Sequence, residues 1–211
     1  MRTRTGANMN TLEKYFQTST SSSEYVRNYL SYLSELVLKL DRDEIVKVIN
    51  LLLDARQSGN MIFFIGNGGS AATASHFAND LAIGTRTNSN PFRVMSLTDN
   101  NAVITAIAND YGYENVFVKQ LEALYSKGDL LVAISASGNS NNLLKAVKFV
   151  QKRDGLTIGL TGFDGGKLKK IVDYVIHVPT DKGEYGPVED IHMIFDHIIG
   201  TYLMYTCRNE G

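Results

Sequence analysis

The feature that most constrains this chain is a change of rhythm near residue 60. From there, short apolar runs alternate with helical segments. The runs are MIFFI (61–65), FRVMSL (92–97), LLVAIS (130–135), LTIGLT (156–161) and YVIHVP (174–179). The helical segments lie near 70–83, 101–108, 114–126, 140–153 and 165–172. Alternation of this kind predicts a parallel sheet with helices on both faces. Strands that are apolar throughout, rather than at every second residue, agree with burial on both sides. A last long helix is expected from near Pro187 to about Cys207, since proline suits a first helical turn. The expected fold class is α/β: a doubly wound, five-stranded parallel sheet.

Residues 1–20 are polar and weakly patterned, and are expected to be flexible, leaving 21–211 as one domain. Two helices should open that domain. TSTSSSEYVRNYLSYLSELVLKL starts with Ser/Thr caps and an early Glu. DRDEIVKVINLLLDARQSGN places Asp41 and Glu44 at the spacing of a capping box. Their apolar residues, among them Leu30, Leu33, Val37, Val46, Ile49 and Leu53, cover more than one face. Such a helix needs two partner surfaces: the core, and either more core or a second subunit.

Charge narrows the partners. The 21 Lys and Arg nearly balance the 22 Asp and Glu, without any basic block. Neither nucleic acid nor a membrane surface is expected as a partner. Cys207 is the single cysteine, so no disulfide can form within the chain, which suits a reducing cytoplasm. The opening MRTRTGANMN has no apolar run behind its arginines, so no secretory signal is expected. The longest apolar runs are of strand length, too short to span a bilayer. A cytoplasmic location is expected.

In doubly wound sheets, ligands bind at the carboxyl ends of strands near the topological switch point. Two strand ends stand out here: GNGGS (66–70) and SASGNS (135–140). The first does not satisfy G-x-G-x-x-G. Its looser frame, Gly66, Gly68 and Ala71, is followed by Asp99, farther on than the usual ~20 residues of a dinucleotide site. No nucleotide P-loop is present either. In the second, Ser135, Ser137 and Ser140 offer three hydroxyls at the mouth of a helix. Gly138 lets the backbone turn its amides inward, and the helix N-terminus adds partial positive charge. Together they can hold a phosphate without Lys or Arg. An ordinary serine cap would need one Ser.

His76 and Asp80, four apart on a helix, share a face. Glu189 and His197 lie about two turns apart on the last helix. Two imidazoles and two carboxylates would suit Zn²⁺ or a similar divalent ion. Spacing alone leaves metal binding and an ordinary structural role both open.

The segments IGNGGSAATASHFANDL, AIANDYGYENVF, AISASGNSNNLLKAV, LTGFDGGKL and VEDIHMIFDHII together resemble a sugar-isomerase (SIS) domain. More narrowly, they resemble the phosphoheptose isomerases. The likeness runs over roughly residues 20–205. It implies interconversion of D-sedoheptulose 7-phosphate and D-glycero-D-manno-heptose 7-phosphate through an enediol, feeding bacterial surface-heptose biosynthesis. It implies one Zn²⁺ per subunit on His76, Asp80, Glu189 and His197. Asp80 stands where the family has Glu, and Glu189 where it has Gln. Asp80 is implied as the proton-moving base and His197 as its acid/base partner, with Glu189 able to share the base role. Substrate contacts are implied at Asn67, Gly68, Gly69, Ser70, Asn109, Asp110, Ser135, Ala136, Ser137, Ser140 and Glu189. A homotetramer with sites at subunit boundaries is also implied. His177 and His192 read as structural. Two alternatives stay open: an isomerase of another phosphosugar, and a non-catalytic SIS protein that binds a sugar phosphate or docks a partner. The replication-initiator-associated type lacks the second-helix histidine and the acid after HFA. Retention of His197 and Asp80 therefore favours an enzyme.

Overall fold

The computed structural model describes residues 9–87 and 89–209. Its centre is a parallel sheet of β1 (Met61–Gly66), β2 (Arg93–Ser96), β3 (Leu130–Ser135), β4 (Leu156–Thr161) and β5 (Tyr174–His177). The strand order is β2-β1-β3-β4-β5. Successive side chains on a strand point to opposite faces, so the apolar runs of β1 and β3 feed two cores. Ile62, Phe64, Val132 and Ile134 enter one core, which is completed by α2 (Ser22–Leu38), α3 (Arg42–Gln57), α4 (Gly69–Asn79) and α9 (Tyr185–Asn209). Phe63, Ile65, Leu131 and Ala133 enter the other, closed by α6 (Val118–Leu124), α7 (Asn141–Gln151) and α8 (Leu168–Ile171). α5 (Asn101–Tyr111) packs at that core's margin through Ile104 and Ile107.

The expected α/β class and five parallel strands are what the chain adopts. Several boundaries differ. The segment expected near 114–126 divides into a 3₁₀ turn, Tyr113–Asn115, and α6. The segment near 165–172 shortens to the single turn of α8. α9 begins two residues before Pro187, which sits in the first turn, where its missing N–H has no helical acceptor to lose. The helix expected over 70–83 is α4 followed by a π-helical turn, Asp80–Gly84.

Within the stretch expected to be flexible, Thr11–Thr18 forms a further helix, α1. It buries no residue fully, which is why apolar periodicity did not reveal it. Caps hold it instead. Asn10 and Glu13 form a capping box, and Asp181 and Glu184 accept the N–H groups of Thr11 and Leu12. Residues 1–8 lie outside the described residues.

Helix α4 leaves β1 toward the first core, and α7 leaves β3 toward the second. The switch point therefore falls between β1 and β3, whose ends meet where Gly66 pairs with Ile134. This brings GNGGS and SASGNS side by side.

Candidate active site

The serine loop is built from its own backbone. Ser135 Oγ accepts the Gly138 N–H at 3.1 Å, and Ser137 Oγ accepts the Asn139 N–H at 3.3 Å. Gly138 has φ +61°, and a Cβ there would strike the Gly165 carbonyl oxygen. Leu168 N–H donates to the Gly138 carbonyl at 2.9 Å, and Lys167 N–H donates to Asn139 Oδ1 at 3.2 Å. The loop is thus braced against the β4–α8 connection. Ser140 is the N-cap residue of α7, yet its side chain makes no capping bond. Its side chain lines the cavity beside the loop instead. The loop borders a cavity of about 160 Å³, also lined by Asn67, Ser70, Tyr185 and Glu189. A neighbouring cavity of about 280 Å³ shares Ser137 and Tyr185 and brings in Lys182.

Asn67 is held from two sides. Its Oδ1 accepts from Asn142 Nδ2 at 2.8 Å and from the Tyr113 hydroxyl at 2.9 Å. Glu189, on the second turn of α9, lays its carboxylate against Gly69, in the space a side chain there would fill. Burial, and then the neighbouring Asp190, raise the Glu189 pKa above the usual carboxylate range. Asn109 and Asp110 sit apart from this cavity. They are exposed on α5, where Asn109 Nδ2 donates to Asp110 Oδ1 at 2.8 Å.

Helices α4 and α9 run side by side in the same direction. Glu189 meets Gly69 at their start. About two turns on, His76 and Asp80 meet Asp196, His197 and Gly200. The His76 Nε2 lies 3.4 Å from His197 Nε2, 3.6 Å from Asp80 Oδ2 and 3.7 Å from Asp196 Oδ2. One ligand atom from each of the four residues falls within 4.8 Å of the others. Asp196 is buried, and neither of its oxygens has a hydrogen-bond partner; His76 stands at ion-pair range only. Burial, and then Asp80, push the Asp196 pKa up to about 7. Of the residues expected to gather here, His76, Asp80 and His197 do so. Glu189 is held at the other end of the helix pair.

The remaining histidines face elsewhere. His177 Nδ1 lies 3.0 Å from the Thr161 hydroxyl, and burial lowers its pKa. His192 is fully buried, and burial depresses it to about 4. Its ring nitrogens meet no partner at full hydrogen-bond geometry, and the Thr161 backbone offsets the desolvation only in part. A larger cleft, about 700 Å³, opens between α4, β2, α5 and α6. Its lining is mostly apolar and includes neither the serine loop nor the four-residue group.

Residues 24–162 match the SIS domain family. The chain is 38% identical over 179 residues to the phosphoheptose isomerase of Aliarcobacter butzleri, spanning 84% of this chain and 94% of that one. This chain belongs to the SIS-domain family, among the phosphoheptose isomerases. The relative from Akkermansia muciniphila is 36% identical with the same coverage. The structure of the phosphoheptose isomerase from Neisseria gonorrhoeae superposes with a TM-score of 0.79 at 33% identity, covering 87% of this chain and 98% of that one. The Francisella tularensis phosphoheptose isomerase gives 0.81 at 26% identity, with 88% and 100% covered.

For this SIS-domain isomerase, the four-residue group fits a divalent ion. Ligands about 2.1 Å from a tetrahedral metal lie roughly 3.4 Å from one another, close to the separations around His76 Nε2. An unpartnered buried carboxylate is also a group that a cation would satisfy. Sequence reasoning missed Asp196, Asn142, Tyr113 and Tyr185. The one available signal was the Asp–His pair at 196–197. Adjacent helical residues diverge by about 100°, so nothing in the spacing predicted that both would reach one point.

Proposed function

We propose that this chain interconverts D-sedoheptulose 7-phosphate and D-glycero-D-manno-heptose 7-phosphate, an aldose–ketose isomerisation feeding bacterial surface-heptose biosynthesis. The observation that carries the reading is the shared end of α4 and α9. A phosphate cradle and a carboxylate lie at one place, and a His/Asp group lies about two turns farther along. Ser70 to His76 spans roughly 9 Å of helix, a gap of the order an extended sugar phosphate bridges.

Ser135, Ser137 and Ser140, with the first amides of α7, hold the phosphate. That remote binding positions the reacting carbons. Asn67, Gly68, Gly69, Ser70 and Ala136 line the sugar, and Asn109 and Asp110 reach it across a subunit boundary. Isomerisation requires a proton to leave one of C1 and C2 and return to the other, with a second proton transferred between their oxygens. Asp80 takes and returns the carbon-bound proton, with Glu189 able to share that role. His197 moves the proton at oxygen during ring opening. His76, Asp80 and His197 hold Zn²⁺, which when bound polarises the carbonyl oxygen.

The assembly is a homotetramer in the cytoplasm. Exposed Val26, Leu30, Leu38 and Val46 on α2 and α3 support an assembly. Among the described residues, no helix is long and apolar enough to cross a membrane. Purified protein and His197→Ala, tested with D-sedoheptulose 7-phosphate before and after chelation, decide the matter by NMR of the product. Turnover lost in the variant and restored to stripped wild type by Zn²⁺ is expected. Bound but unconverted sugar phosphate would point to another substrate or to a sensor.

A further inference from the structure

We infer that Asp196 is the fourth protein ligand of the divalent cation in this chain, and that Glu189 lies outside its coordination shell. The inference rests on the metal-dependent reading above and puts Asp196 in the place that the family resemblance implied for Glu189.

Three observations converge. Asp196 is 0% exposed, and both of its carboxylate oxygens are unpartnered. A buried carboxylate facing a second carboxylate, Asp80, is strongly unfavourable in its charged form unless one of them takes up a proton or a cation lies between them. The Oδ2 atom stands 3.7 Å from His76 Nε2, within the same group as Asp80 and His197. Glu189, eight residues before His197, begins about 12 Å back along the axis. Its carboxylate is spent over Gly69, beside the serine-loop cavity.

Adjacent residues on one helix have ligand atoms in one group here although their burial differs. Asp196 comes from the buried interface, and His197 from the exposed rim. Gly200, one turn on, packs beside both carboxylates: a Cβ there would lie 3.6 Å from Asp80 Cβ and 3.9 Å from Asp196 Oδ1, ordinary contact distances. Two neutral imidazoles and two carboxylates leave a divalent ion with no net charge. That mixed nitrogen–oxygen set suits Zn²⁺, Co²⁺, Fe²⁺ or Mn²⁺ better than Ca²⁺ or Cu⁺. Glu189 is then free to act on the sugar.

The test uses the full chain, stripped by chelator and titrated with Zn²⁺ by calorimetry and with Co²⁺ by visible absorption. Asp196→Asn is expected to weaken Zn²⁺ at least about tenfold and to change the Co²⁺ ligand-field band. Its metal-free thermal midpoint should match or exceed that of wild type, because an unpaired buried charge is gone. Glu189→Ala, which removes any ligand atom at that position, should leave both the affinity and the band as in wild type. An Asp196→Asn chain that binds like wild type, or a Glu189→Ala chain that loses affinity as Asp196→Asn should, overturns the assignment and leaves the isomerase reading standing. If wild type binds neither metal, the metal-dependent reading falls and this falls with it. Asp196→Leu is made alongside. Failure of both variants to fold would show Asp196 to be structural and would likewise overturn it.

Discussion

His76 and His197 are 121 residues apart in sequence, and their Nε2 atoms face each other at 3.4 Å. With one ring in each role, one nitrogen can donate and the other accept; with both Nε2 atoms unprotonated, the two lone pairs face each other. A cation accepts both lone pairs at once. The contact exists because α4 and α9 cover the same sheet face and run in the same direction. The site is thus a property of how two helices pack.

Ser140 separates phosphate binding from helix capping. A capping serine replaced by alanine costs about 1 kcal/mol. Ser140 makes no capping bond. Ser140→Ala should therefore lower stability by less than about 0.5 kcal/mol while raising KM for the sugar phosphate roughly tenfold, since a hydrogen bond to a charged group contributes about 1.5–3 kcal/mol. Thermal unfolding and steady-state kinetics on the same preparation check both. The opposite pattern, stability lost and KM kept, would make it a plain cap.

Gly138 holds the loop's shape. Its positive φ and its contact with the Gly165 carbonyl leave no room for a side chain. Gly138→Ala should cost more than about 2 kcal/mol, strain and clash adding. Denaturant unfolding measures that loss, and the surviving folded protein should show weakened phosphate inhibition. Wild-type stability in the variant would mean that the loop rearranges freely.

His192 sets an acid limit. Its folded pKa, about 4, lies below the ordinary value near 6.5. Between those values the unfolded chain binds a proton that the folded chain refuses. Stability is therefore full above about pH 6.5 and falls as the pH drops toward 4, by about 3 kcal/mol in total. His192→Leu removes that proton uptake. Unfolding free energies of both proteins from pH 7 to 4 should diverge by that amount, since carboxylates such as Asp196 titrate in each. Parallel curves would mean that the ring is reached by solvent.

Glu184 fastens α1 and the loop before α9. It is fully buried and accepts the Tyr32 hydroxyl at 2.7 Å, the Asp181 N–H at 3.1 Å and the Leu12 N–H at 3.2 Å. Glu184→Ala leaves three donors unmet and should cost about 3 kcal/mol or more. Limited proteolysis should then cut ahead of α2, where the wild type resists. Glu184→Gln, which keeps an acceptor, should lose less.

Much was legible in the chain itself. The strands of MIFFI and LLVAIS, the helices after them and the two polar strand ends follow from local rules: apolar runs of strand length, serine and glycine chemistry, and a fixed number of residues per turn. Those rules act within a few residues, so sequence by itself determined the α/β class, the five strands and the serine loop. It also determined that His76 and Asp80 share a face. It could not place Asp196, Glu189 or α1. Asp196 matters because α4 packs against α9, Glu189 is drawn to Gly69 by the same packing, and α1 is held by carboxylates more than 160 residues away. These are contacts between distant segments, and only the tertiary structure decided them.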